Sequence, residues 1–416
     1  MMQKPDGMST QSFAVYTAVS FVLLVLNTAV GSDAISARQS YSVRDSGGIT
    51  IVENSGPVWS GGQGWRVGTD PDLSIGTVAG DPNYIFVQVR GAVRMDDGTI
   101  VVMESGTNEL RLFDGGGGFV RNLGGTGEGP GEFRFLTEMW VSGDTIFGFC
   151  NLQKRIAVFN RGGDVLEMVR VEVAEGAGNP AAEDQFPDGT LLVLSAPSGG
   201  LSFTLGTIKG NTWRLDRFSR DGRFMNEIAF VKEADRWGHD IPGVWSFPYL
   251  PLTLGIGPHA ASRHHVYVGH HTQGRIERRN GSGDLIRVIR WPTPELRVTD
   301  REKRRYREAR SEPPRDVDRA GWNRYLRETP FPDRMPAYRR LLVDGLGNPW
   351  AERYRPPWES AQSSWYVFDD QGVWLGEVPV PDGLWVFEVG ADYVLGLRRD
   401  ELDVPFVVTF PLHRGG

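Results

Sequence analysis

Five of the seven histidines fall between His259 and His271. Imidazoles at that density raise metal ligation and acid–base chemistry as the first questions to ask. The run His264-His265-Val266-Tyr267-Val268-Gly269-His270-His271 reads as a strand with histidines at both ends. Alternation sends His264 and His270 to one side, and His265 and His271 to the other. The two pairs also lie roughly 20 Å apart at the rise of an extended chain. They cannot make one metal site along this strand. A site needs His270 or His271 together with ligands from elsewhere. Counting back from aligned segments, Glu104 and Cys150 occupy the position of His270, and Ser105 and Asn151 that of His271. Glu104, Asn108 and Asn151 are suitable oxygen donors for calcium, and Glu104 with His270 suits zinc. Loop-end histidines and turn-favouring asparagines are the plainer reading of the same residues.

Other chemistry is thinner. Gly115–Gly118 and Gly124–Gly131 are glycine-rich, but no Gly-Lys-Ser/Thr follows, so no phosphate loop is expected. No Gly-x-Ser-x-Gly run marks a nucleophile elbow. The formal net charge of -7 argues against a general nucleic-acid binder. Trp237, Trp245, Phe247, Tyr249, Trp322, Tyr325, Phe331 and Trp358 fall in long segments between strands, with Arg353 and Arg355 nearby. They either anchor loops or form a stacking surface for a sugar or peptide.

The elements that position these residues come from a repeat. Phe113, Phe159, Phe218 and Phe368 are each followed four residues later by Gly, and a fifth copy has Arg279 in the Phe position and Gly283. Apolar pairs follow each glycine, from Phe119-Val120 to Trp374-Leu375. This is strand, tight turn, strand. Upstream, Asp97-Gly98-Thr99, Gly143-Asp144-Thr145 and Asp188-Gly189-Thr190 each precede a further apolar strand. Each unit therefore has four strands, a to d, and the spacing fits propeller blades with insertions. The C-terminus supplies only three strands. Ile49-Thr50-Ile51-Val52 is expected to complete that blade and close the ring. The fold class is all-β, a six-bladed β-propeller over 43–416 closed by an N-terminal strand joining the C-terminal blade.

The a–b and c–d turns are short and share one face of the disc. The b–c and d–a connections are long and share the other, which is the face expected to bind. The largest, 297–337, is a basic helical insertion before or in blade 5. Thr299-Asp300-Arg301-Glu302 reads as a helix start, and a second helix is expected from Val317 to Arg327. From 297 to 340 there are 14 Arg or Lys against 8 Asp or Glu, which suits either a solvated lid or a guide for an anionic ligand.

Lys4 precedes an apolar run from Phe13 to Val30, and Ala29-Val30-Gly31 offers a cleavage site. Residues 1–37 are expected to be a signal peptide or an N-terminal anchor, so the protein is exported, periplasmic or extracellular. Membrane contact is expected only through this segment, if it is uncleaved. Cys150 is the sole cysteine, so no intrachain disulfide forms.

Arg44–Asn54, Glu109-Leu110-Arg111-Leu112-Phe113-Asp114, Gly127–Phe133 and Asp400-Glu401-Leu402-Asp403-Val404 resemble the six-bladed β-propeller proteins of bacterial envelopes, relatives of the NHL-repeat group. The likeness covers nearly all of the chain after residue 43. It implies a fold and no particular activity. The expected function is a non-enzymatic binding or scaffold propeller that recognises a protein, peptide or glycan, with no cofactor. The candidate ligand-contacting residues are Glu104, Asn108, Asn151, His270, His271, Arg353 and Trp358. The alternative is a calcium- or zinc-dependent hydrolase or lactonase at the channel mouth, with Glu104 and His270 as possible ligands.

Overall fold

The computed structural model describes residues 40–415, apart from 61, 200–203, 245–246, 263 and 271. The expected signal or anchor segment, His271 and Trp245 therefore lie outside the described residues. No helix among the described residues is long and apolar enough to cross a membrane.

Six antiparallel sheets follow one another around a ring, each running from an inner strand a to an outer strand d. Blade 1 is Val89–Arg94, Ile100–Glu104, Glu109–Phe113 and Phe119–Gly124. Blade 2 is Leu136–Ser142, Thr145–Cys150, Arg155–Asn160 and Val165–Arg170. Blade 3 is Ala177–Gln185, Leu191–Pro197, Thr212–Phe218 and Phe224–Lys232. Blade 4 is His259–Ala261, His265–Gly269, Arg275–Asn280 and Leu285–Arg290. Blade 5 is Tyr338–Val343, Pro349–Arg353, Ser364–Phe368 and Trp374–Pro379. Blade 6 has Trp385–Val389, Tyr393–Arg399 and Pro405–His413.

The alternation of each b strand explains the packing. Ile100 and Val102 enter the apolar cluster shared with blade 6, while Val101 and Met103 enter the one shared with blade 2. Leu191 and Val193 face blade 2, and Leu192 and Leu194 face blade 4. A strand buried on both sides must be apolar at every position, which is why these strands read as continuous hydrophobic runs. Each of the six blade junctions holds such a cluster, including that between blades 6 and 1. The hairpin glycines Gly117, Gly163, Gly222, Gly283 and Gly372 all have positive φ. At Gly222 a Cβ would lie 2.2 Å from the Arg170 carbonyl oxygen of the preceding blade, so only glycine fits.

Closure differs in detail from expectation. An N-terminal strand does join blade 6, but it is Leu73–Ile75, paired antiparallel with Val407–Thr409, with Arg66–Val67 beside Leu412–His413. Ile49–Asn54 instead runs parallel to Leu285–Arg290 as a fifth strand of blade 4, and Tyr41–Ser46 adds a sixth. Both candidates have the right period. The choice turns on burial: Ile75 fills the junction between blades 6 and 1, with 1% of its surface exposed. Between the two stretches, the Val58 and Trp59 N–H groups donate to the Trp374 and Leu375 carbonyls at 3.0 and 2.8 Å. The segment is thus a belt over the outer edges of blades 4, 5 and 6, covering edges that would otherwise invite pairing.

The connection from blade 4 to blade 5 carries two helices, α1 (Asp300–Ala309) and α2 (Arg319–Glu328). Thr299 and Glu302 form a reciprocal capping box on α1, and the Asp318 side chain caps α2. Tyr306, Trp322, Tyr325 and Leu326 pack with Trp237, Ile241 and Leu250 into a separate apolar cluster. This lid therefore has its own core and leaves its charges outside.

Candidate functional site

The repeated Phe of strand c points toward the preceding blade. Phe113, Phe159, Phe218 and Phe368 each plug such a junction with no more than 1% of their surface exposed. Arg279 is the exception. On strand c of blade 4, Arg275, Glu277 and Arg279 fall on one face by alternation, and that face looks toward blade 3. No strand-c aromatic plugs this junction, although Phe186 and Trp213 belong to its apolar cluster. A cleft of about 620 Å³ opens there instead, against the outer strand of blade 3 and the Pro330-Phe331-Pro332 end of the lid.

The cleft is built around a carboxylate. Glu277 lies 2.7 Å from Arg275, 2.7 Å from Arg279 and 3.1 Å from His270 Nε2. The His270 hydrogen bond and the Arg279 guanidinium outweigh burial and hold the Glu277 carboxyl down at about 2. His270 is fixed from below, its backbone N–H donating to the Tyr338 hydroxyl at 2.8 Å while that hydroxyl donates to the Arg275 carbonyl at 2.7 Å. On the opposite wall, Glu233 accepts from Tyr249 at 2.7 Å and from Arg236 at 2.8 Å. Lys209 meets Asp235 at 2.8 Å, and Lys232 donates to the Gly210 carbonyl at 2.6 Å. Phe230, 60% exposed, and Phe331 add apolar surface.

A second polar cluster lies on the inner strands. His259 places Nε2 3.0 Å from Glu183 and Nδ1 2.9 Å from the Gly257 carbonyl. Both ring nitrogens face acceptors, so both carry protons and the ring is an imidazolium. Burial pulls its pKa down, but Glu183 and the carbonyl prevail and raise it to about 9. Across the next junction, burial and Glu183 push Glu138 up to about 8, against the pull of His259 and Arg90. Burial likewise lifts Asp184 to about 6. Asp184 lines a larger cavity of about 840 Å³ at the short-turn mouth of the channel, which draws on all six blades. There Glu388 accepts from the Arg94 N–H at 2.7 Å and the Tyr393 hydroxyl at 2.9 Å.

The residues singled out in the sequence are distributed as follows. His270 lines the cleft. Glu104 is fully buried and accepts from the Val87, Gln88 and Gly106 N–H groups at 3.0, 2.8 and 2.9 Å, so both its oxygens are occupied. Asn108, at positive φ, donates to Thr126 and accepts from the Leu136 N–H, tying the blade 1–2 crossover. Asn151 donates its backbone N–H to the Phe135 carbonyl at 3.2 Å. Arg353 pairs with Glu359 at 2.7 Å, and Trp358 packs on the lid core. Glu104, Cys150 and His270 do share one level, opposite the first residues of their c strands. Among the described residues, no three His, Cys, Asp or Glu side chains converge as metal ligands. The wall residues Glu277, Lys209 and Phe230 and the axial Glu138, Glu183 and His259 were not singled out. A strand c with Ile276 as its one apolar residue, Arg275–Asn280, was the available signal for the first of them.

A family model described as DUF5128, a 6-bladed beta-propeller, matches residues 85–178, which hold blades 1 and 2. The chain is similar to a protein of Bacteroides fragilis described as exported, at 11% identity over 88% of this chain and 100% of that one, with a TM-score of 0.49. It is similar to a DUF4221 family member from Bacteroides vulgatus, at 11% identity over 85% and 99%, TM-score 0.49. A gluconolactonase from Xanthomonas campestris aligns at 12% identity over 83% and 99%, TM-score 0.40. No curated protein sequence matches the chain.

Proposed function

We propose that this protein is an exported binding propeller, without catalytic activity, that recognises a protein, peptide or glycan in the cleft between blades 3 and 4. The observation carrying this reading is the break in the repeat. Four junctions are plugged by a Phe, and the one whose plug is replaced by Arg279 opens into a cleft on the face of the long connections. Its walls combine exposed apolar surface with charges that already have partners, a lining suited to reversible recognition. The metal-dependent alternative draws less support, because both Glu104 oxygens accept backbone N–H groups and His270 Nε2 faces Glu277.

Peptide and glycan arrays probed with the wild type and with Phe230→Ala and Lys209→Ala test the reading. Both side chains are exposed at the cleft, so neither change should unfold the protein. The expected result is a ligand whose affinity falls about tenfold or more in the Phe230 variant, a loss of about 1.4 kcal/mol. A ligand that binds both variants like the wild type, or turnover of an array compound, would refute it.

A further inference from the structure

The strand directions place the entry of the chain. Tyr41 pairs with Asn54, and Glu53 with Arg290, the last residue before the lid connection. Ser40 therefore stands at the long-connection rim of blade 4, where its carbonyl accepts from the Ser55 N–H at 2.8 Å. The lid begins from that same rim. Only nine residues separate Ser40 from Val30, the end of the apolar run, so the two are at most about 35 Å apart.

The outer surface of the lid is basic. Arg304, Arg305, Arg310 and Arg315 are exposed and, among the described residues, have no carboxylate within ion-pair distance. Arg297 and Arg334 are likewise exposed without an ion pair among the described residues, whereas Arg319 meets Glu312 at 2.7 Å and Arg324 meets Glu328 at 3.1 Å. Against these arginines, Glu308, Asp316, Asp318 and Asp333 are exposed acids without an ion pair among the described residues. The rest of the chain is acidic enough to leave a net charge of -7. The basic surface is thus local and belongs to a long connection that leaves the same rim of blade 4 at which Ser40 stands.

We propose that the lid is an electrostatic docking surface for a membrane rich in anionic phospholipid headgroups. In a chain that retains the apolar run Phe13–Val30, that run tethers it to the membrane, and tethering raises the effective concentration of the arginines at the headgroups. Each arginine near an anionic bilayer adds roughly fivefold to partitioning, so four weak contacts suffice once the chain is tethered. The long-connection face, with its cleft, is then turned toward the membrane. This reading is independent of the identity of the cleft ligand.

Cys150 is buried and is the sole cysteine, so an introduced thiol labels selectively. A fluorophore is placed on full-length Ser311→Cys or Ala320→Cys in the lid, or on Ser282→Cys in a short turn of blade 4. Each protein is mixed with vesicles of phosphatidylcholine carrying a headgroup quencher, with or without one third phosphatidylglycerol. Quenching of the lid labels alone, dependent on phosphatidylglycerol and abolished by high salt, is expected. Arg304→Gln and Arg305→Gln should each weaken it roughly fivefold. Equal quenching at Ser282→Cys, quenching that does not depend on phosphatidylglycerol, or none at the lid would overturn the proposal. Binding of the lid to a soluble acidic peptide but not to these vesicles would overturn it as well.

Discussion

The junction between blades 2 and 3 and that between blades 3 and 4 use the same strand position in opposite ways. At the first, Phe218 is fully buried beside Leu191, Val193 and Phe149. At the second, Arg279 stands in the same place, and the c strand presents Arg275, Glu277 and Arg279 to a cleft. Near the axis the two junctions differ again: Glu138 faces Glu183 across one, and Glu183 pairs with His259 across the other. A propeller needs most of its junctions apolar to hold the ring. The junction between blades 3 and 4 keeps its own apolar cluster, but its strand-c position gives up burial, which is kept where a ligand can repay it.

The largest effect should come from the apolar junction. Phe218→Ala is expected to lower stability by about 3–5 kcal/mol in urea unfolding, because it leaves a cavity between two rigid sheets. Arg279→Ala should lower it by less than about 1.5 kcal/mol, since Glu277 keeps Arg275. Equal losses at the two positions would mean that the cleft junction is as structural as its neighbour.

Ring closure gives the next test. Ile75→Ala, at the junction of blades 6 and 1, should lower stability by about 2–4 kcal/mol. Val43→Ala, on the exposed outer strand of blade 4, should change it by less than about 0.5 kcal/mol. The three-residue strand thus matters more than the six-residue one. This is also where the sequence misled. Strand grammar and hairpin glycines made the blades legible, because period-two patterns are local. Ile49–Val52 reads as an isolated strand with no unit of its own, which makes it the candidate to close the ring. Leu73–Ile75 is short, and nothing local says that its partner lies more than 300 residues away. The candidate site was half legible: the Arg279 exception was visible, but its meaning needed to know that the Phe side chains are junction plugs. The His cluster drew attention to imidazoles that mostly serve backbone and carboxylate partners.

The axial groups set a pH dependence with a definite sign. Glu138 is protonated in both the folded and unfolded chain below the usual carboxylate range, so its full stability is present there. That stability falls as pH rises from that range through about 8. His259, raised to about 9, contributes fully below the usual imidazole range and loses its contribution as pH rises through about 9. Both act in the same direction, so the wild type should weaken from neutral pH toward about pH 9 to 10. Glu138→Gln should match the wild type near about pH 5 and exceed it by about 1–2 kcal/mol near pH 9. Parallel melting curves for the two proteins across this range would show that Glu138 is solvated and that the junction between blades 2 and 3 carries no polar cost.

A small effect on stability should also come from restoring the repeat. Arg279→Phe returns the consensus residue to blade 4 and puts an aromatic ring into the cleft. Glu277 retains Arg275 and His270, so no buried charge is left alone. The ring gains apolar contact with the exposed Phe230 wall, and the change should leave stability within about 1 kcal/mol of wild type. Binding should respond far more, with ligand affinity down by at least about tenfold as the ring fills the space. If Arg279→Phe instead stabilised the protein and left its ligand bound as before, the cleft would be an unfilled junction rather than a recognition site. The difference between the two junctions would then carry no function.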